Sequence, residues 1–79
     1  MTVGNGRAHK IKPTPLSILN ELRLHRVNQN LSLETLSDMT GYNSNSLQRW
    51  ENGRVSPLLK SFIDYADALG FDVVLKKRE

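Results

Sequence analysis

Apolar positions in this chain fall into four runs separated by polar and glycine punctuation, and each has helical rather than strand spacing. The first opens at Thr14-Pro15, a threonine cap followed by a proline at the first helical position, where its missing N–H is harmless. Ile18, Leu19, Leu22 and Arg26 follow on one face, which predicts a helix to about Arg26 or Val27, ended by Asn28-Gln29-Asn30. Ser32 caps a short second helix with Leu33, Leu36 and Thr40 inward, and Gly41 supplies its left-handed end. Asn43 caps a third, Ser44 to about Glu51, whose only apolar residues are Leu47 and Trp50; Asn52-Gly53 closes it. Ser56-Pro57 opens a fourth, in which Leu59, Phe62, Ile63, Ala66 and Leu69 form a broad stripe before Gly70.

Two segments lie outside this pattern. Residues 1–13 lack apolar periodicity and carry glycine, proline, Arg7, Lys10 and Lys12, so a flexible basic arm is expected there. Residues 71–75, FDVVL, are β-branched and aromatic with partial alternation and predict a short strand, followed by the basic run Lys76, Lys77 and Arg78. No other segment reads as strand, so this one needs a second copy or another protein beside it; a short fifth helix or a loose tail is the alternative. The expected organisation is an arm (1–13), a helical domain (14–70), and a dimerising strand with a basic tail (71–79).

About 65 ordered residues bury only ~60% of their unfolded surface, which makes dimerisation a natural source of stability. The chain has no cysteine, which excludes disulfides and cysteine zinc sites. The sequence shows no secretory leader and no apolar run near the ~18 residues of a membrane span, so the expectation is a cytoplasmic protein without a membrane partner. The net charge of +3 suits a polyanion partner.

Chemistry concentrates between residues 33 and 57. Two short helices joined by Gly41-Tyr42-Asn43 have the spacing of a helix-turn-helix, in which the first helix braces a second that enters the major groove of DNA. Glu51 poses a difficulty, because an acid near a helix C-terminus opposes the macrodipole. From Leu31 to Gly70 the stretches LSLETLSDMTGY, NSNSLQRWENGRVSP and LLKSFIDYADALG resemble the lambdoid phage repressor and Cro family of helix-turn-helix domains, the XRE family. The resemblance covers about half the chain. It implies a mainly α, four-to-five-helix repressor-like domain that binds double-stranded DNA as a homodimer, with the C-terminal strand similar to the dimer-bridging strand of HipB-like antitoxins.

The resemblance places Ser44, Asn45 and Arg49 at base-reading positions, with Gln48 a further reader; Asn bonds adenine and Arg bonds guanine in two places each. Asn43, Asn52, Arg54, Ser56 and Lys60 are candidates for phosphate contact. In the family pattern the Glu of ENG pairs with an arginine on the first helix, and Arg26 holds that position. Phe71, Val73, Val74 and Leu75 would join two copies. There are departures. Leu33 stands where the family often has a phosphate-binding glutamine, Ser37 where it has alanine at the helix crossing, and Tyr42 where it has an aliphatic residue, so the Tyr42 hydroxyl needs water, a phosphate or a buried acceptor. Leu36, Leu47, Trp50, Phe62, Ile63 and Leu69 are assigned to the core.

Enzyme chemistry finds no support. His9 lies in the arm and His25 on the first helix, with no paired ligand or glycine-rich phosphate loop beside them, so no metal and no cofactor is expected. The expected function is a sequence-specific transcriptional regulator, a repressor acting on an inverted repeat. The competing readings are an antitoxin that also binds a protein toxin, and an adaptor that keeps the fold without reading DNA.

Overall fold

The computed structural model describes residues 12–78, and the arm expected over residues 1–13 lies almost wholly outside them. Four helices follow in order: α1 Pro15–Asn28, α2 Leu33–Thr40, α3 Ser44–Glu51 and α4 Leu59–Ala68. Thr14 caps α1 in a reciprocal box, its hydroxyl accepting the Ser17 N–H at 3.1 Å while Ser17 Oγ accepts the Thr14 N–H at 2.9 Å. Ser32 caps α2 and Asn43 caps α3. Gly41 ends α2 at φ +81°, and Gly53 follows α3 at φ +79°, where a Cβ would stand 2.6 Å from Leu16 Cδ1.

The helices approach closely as α1 on α3, α2 on α3 and α2 on α4. Their shared core is Leu19 and Leu22 from α1, Leu36 from α2, Leu47 and Trp50 from α3, and Tyr65 and Ala66 from α4, closed by Leu69. Ile18, Leu31, Leu33, Tyr42, Phe62 and Ala68 pack around it. Leu33 therefore contributes packing, at a position where the resemblance implies a phosphate-binding glutamine.

Three expectations are corrected. First, α4 starts at Leu59 and not at Ser56-Pro57: Leu58 is its N-cap, with extended backbone and no side-chain cap bond. Pro57 instead lines an apolar groove with Pro13, Pro15 and Ile18. Second, the α4 stripe is rotated. Ile63 is 41% and Leu59 71% exposed, whereas Tyr65 is fully buried. Phe62, Tyr65, Ala66 and Leu69 stand at i, i+3, i+4 and i+7, the better helical register, and the phenol is tolerated inside because its hydroxyl has an acceptor. Third, residues 71–78 form no strand and no fifth helix. The Phe71 N–H is consumed in the turn that ends α4, donating to the Ala66 carbonyl at 2.9 Å, and its ring sits on His25 with centroids 4.7 Å apart. Among the described residues no second extended segment is available to ladder with Val73, Val74 and Leu75.

One polar cluster crosses the core. Arg26 donates from Nε to Glu51 Oε2 at 2.7 Å and from Nη2 to Oε1 at 2.9 Å, a two-pronged fork. Its remaining arm, Nη1, reaches the Leu31 carbonyl at 2.7 Å. Tyr65 completes the cluster, its hydroxyl donating to Glu51 Oε2 at 2.6 Å. Among the described residues every buried side-chain nitrogen and oxygen has a partner.

Breaking this cluster from one side leaves the other charge buried. Glu51→Ala is expected to destabilise the fold by about 3–5 kcal/mol, because the Arg26 guanidinium then stays desolvated without a counter-ion. Urea denaturation measures it. The Tyr65 phenol supplies an alkaline test: burial, then the adjacent Glu51 carboxylate, pushes it well above its ordinary value of 10.0. The unfolded phenol therefore loses its proton first, so this contribution is constant below about pH 10 and falls above it with the slope of a single proton. Denaturation midpoints from pH 9 to 11 are expected to fall less steeply in Tyr65→Phe than in the wild type.

Candidate nucleic-acid interface

α3 owes its inner face to only two apolar side chains, Leu47 and Trp50, and its C-terminal acid is tied down behind it. Glu51 is the one acid on the helix, and it is 7% exposed. The outward positions therefore carry Arg49 and uncharged amides and no competing carboxylate. The Arg26 guanidinium, raised above its ordinary pKa chiefly by the hydrogen bond to Glu51, stays charged in this fork.

Asn45, Gln48 and Arg49 on α3 and Asn52 and Arg54 in the following loop line one open concavity of about 300 Å³, and all of them are exposed. The loop is held to the helix by main-chain bonds. The Arg54 N–H donates to the Arg49 carbonyl at 2.9 Å and to Asn52 Oδ1 at 3.2 Å, which fixes Arg54 beside Arg49. Two guanidinium groups and three carboxamides on one face form a donor-rich surface suited to phosphate oxygens and base edges.

The remaining candidates are placed differently. Asn43 is exposed and uses its Oδ1 to accept the Asn45 N–H at 2.8 Å, so its cap fixes the start of the helix while its amide nitrogen keeps both donors. Ser44 is half-buried on the first turn and does not line the concavity. Ser56 lies on the apolar groove near Pro13 and Pro15. Lys60 is exposed, with its ammonium 2.8 Å from Asp64 Oδ2.

The Tyr42 hydroxyl finds its acceptor within the chain, donating to the same Asp64 Oδ2 at 2.6 Å. Ser37, at the helix crossing, donates from Oγ to the Tyr42 carbonyl, a bond that alanine could not make. Asp64 and Tyr65 escaped the sequence reading. Tyr65 was legible in principle, since it completes the helical register of Phe62, Ala66 and Leu69; Asp64 offered no signal, because its partner Tyr42 lies 22 residues away in sequence. Among the described residues no cluster of histidine, cysteine, aspartate and glutamate could hold a metal, and no helix is long and apolar enough to cross a membrane.

A helix-turn-helix family model of the Cro/C1 type matches residues 22–75, from the middle of α1 through the end of the apolar C-terminal segment. No curated protein and no solved structure gives a significant match. With two thirds of its length under that model and its α2-turn-α3 unit in the matched segment, the chain belongs to the Cro/C1-type (XRE) helix-turn-helix family of DNA-binding transcription regulators.

Proposed function

We propose that the protein is a sequence-specific repressor that binds double-stranded DNA as a homodimer, with α3 in the major groove. The observation that carries this reading is the concavity shared by Asn45, Gln48, Arg49, Asn52 and Arg54, which puts amide and guanidinium donors of helix and loop on one exposed face. Asn45 and Arg49 read base edges, with Ser44 and Gln48 beside them, while Arg54, Asn52 and Asn43 grip phosphates. Ser56 and Lys60 are flanking phosphate donors; Lys60 reaches DNA only by exchanging its Asp64 partner. Two copies would present their α3 helices to half-sites about 34–36 Å apart on an inverted repeat.

The C-terminal segment supports the dimer. Val74 is 77% exposed and Leu75 wholly so, an apolar end that a lone chain leaves in water. Antiparallel pairing of Val73, Val74 and Leu75 with the same residues of a second copy would satisfy both backbones and bury these side chains.

The base-reading assignment is tested on a duplex selected from random DNA. Asn45→Ala and Arg49→Ala are each expected to lower affinity for it by about 1–3 kcal/mol while leaving affinity for unrelated DNA nearly unchanged. Arg54→Ala is expected to weaken both kinds of DNA alike and reduce the salt slope by about one phosphate. Operator affinity unaltered by the first two substitutions would remove them from the reading face. For the dimer, sedimentation of a chain ending at Gly70 is expected to show monomer at a concentration where the full chain is dimeric.

A further inference from the structure

α4 is not among the close backbone partners of α3, so it reaches the helix through side chains. Two consecutive residues do this. Tyr65 holds the C-terminal end of α3, its hydroxyl on Glu51 and its ring edge-on to Trp50 at 6.3 Å. Asp64 holds the other end, because it accepts the hydroxyl of Tyr42, the residue between the Gly41 terminus of α2 and the Asn43 cap of α3.

Resting on the reading of α3 as the recognition helix, we propose that Asp64 is a positioning residue for DNA recognition: through the Tyr42 hydroxyl it fixes where and in which orientation α3 begins. Tyr42 has three polar tethers. Its N–H donates to Thr40 Oγ1 at 3.2 Å and its carbonyl accepts from Ser37 Oγ, but both partners belong to α2. The phenol bond to Asp64 alone ties the turn to a third helix. The Tyr42 ring also meets Trp50 edge-on at 5.4 Å, so the turn, the inner face of α3 and α4 are gripped by one side chain. Lys60 serves Asp64. Its ammonium, 2.8 Å from Oδ2, followed by the Tyr42 hydroxyl, holds the Asp64 carboxyl below its ordinary pKa.

An eight-residue helix is only about 12 Å long, so a hold at each end fixes both its tilt and its rotation. Base reading requires such alignment to about 10–20°. Phosphate contacts from the loop at Asn52 and Arg54 tolerate more play, because a charge at a flexible tip can follow its partner. Loss of the Tyr42 to Asp64 bond is therefore expected to reduce discrimination between sequences more than grip on DNA as such.

The test uses the full chain and compares a duplex selected by the wild type with an unrelated duplex of equal length. Tyr42→Phe, which keeps the ring, and Asp64→Ala are each expected to lower the affinity ratio about tenfold with an unchanged salt slope. The double variant should lose no more than either alone, and Asp64→Asn, which retains an acceptor oxygen, should keep most of the ratio. An unchanged ratio in Tyr42→Phe overturns the proposal, as does a loss shared equally by both duplexes and by thermal stability. Amide hydrogen exchange at Asn45 and Leu47 in the free protein reads the clamp without DNA: faster exchange in Tyr42→Phe than in the wild type is expected. Should the wild type select no duplex, the reading of α3 fails separately, and wild-type exchange at those amides in Tyr42→Phe overturns the clamp itself.

Discussion

The forked pair of Arg26 and Glu51 is the joint on which the other elements depend. α3 brings only Leu47 and Trp50 to the core, too little apolar surface to hold an eight-residue helix in one orientation, and the fork supplies the missing attachment to α1. It also resolves the electrostatic difficulty of an acid at a helix C-terminus, since the guanidinium offsets the macrodipole as well as the carboxylate. The third arm of Arg26 takes the Leu31 carbonyl, so the same side chain sets the turn between α1 and α2. A buried pair of this kind stabilises little on balance against apolar residues of the same volume, but it is specific: other placements of α3 leave a charge buried and unpaired.

Around that joint α3 is held by a polar inner frame in which its own acid, Glu51, is buried. Tyr65 shares the Glu51 carboxylate from α4, Tyr42 and Asp64 tie the preceding turn, and Ser37 closes the crossing with α2. The outward face is left with Asn45, Gln48 and Arg49, joined by Asn52 and Arg54 from a loop fixed to the helix by main-chain bonds. The proposed base reading by α3 draws on this arrangement, because rigid support behind the donors keeps misalignment from being absorbed by tilting the helix.

The same economy has a counterpart on the surface. A domain this small leaves Leu58, Leu59, Val74 and Leu75 largely in water, and the last two belong to a segment with no ladder partner among the described residues. Its first residue is already committed, with the Phe71 ring on His25 and its N–H in the terminating turn of α4. Any pairing with a second copy thus begins from an anchored base rather than from a free tail, which lowers the entropy lost on association.

Local physics made much of this visible in the sequence. Thr14, Ser32 and Asn43 announce their helices because a short oxygen-bearing side chain satisfies the first N–H groups whatever the rest of the fold does, and Gly41 marks a left-handed end for equally local reasons. Candidate readers on α3 were legible as a polar face, and Arg26 with Glu51 through family resemblance. The tertiary structure decided what depends on neighbours distant in sequence. It rotated the α4 stripe from Ile63 to Tyr65, because a buried phenol is acceptable only where Glu51 waits for it, and it matched Tyr42 with Asp64. It also withheld the strand at residues 71–75. β-propensity names a segment that can pair, whereas a strand exists only when its backbone donors and acceptors have a partner, and no composition can supply one.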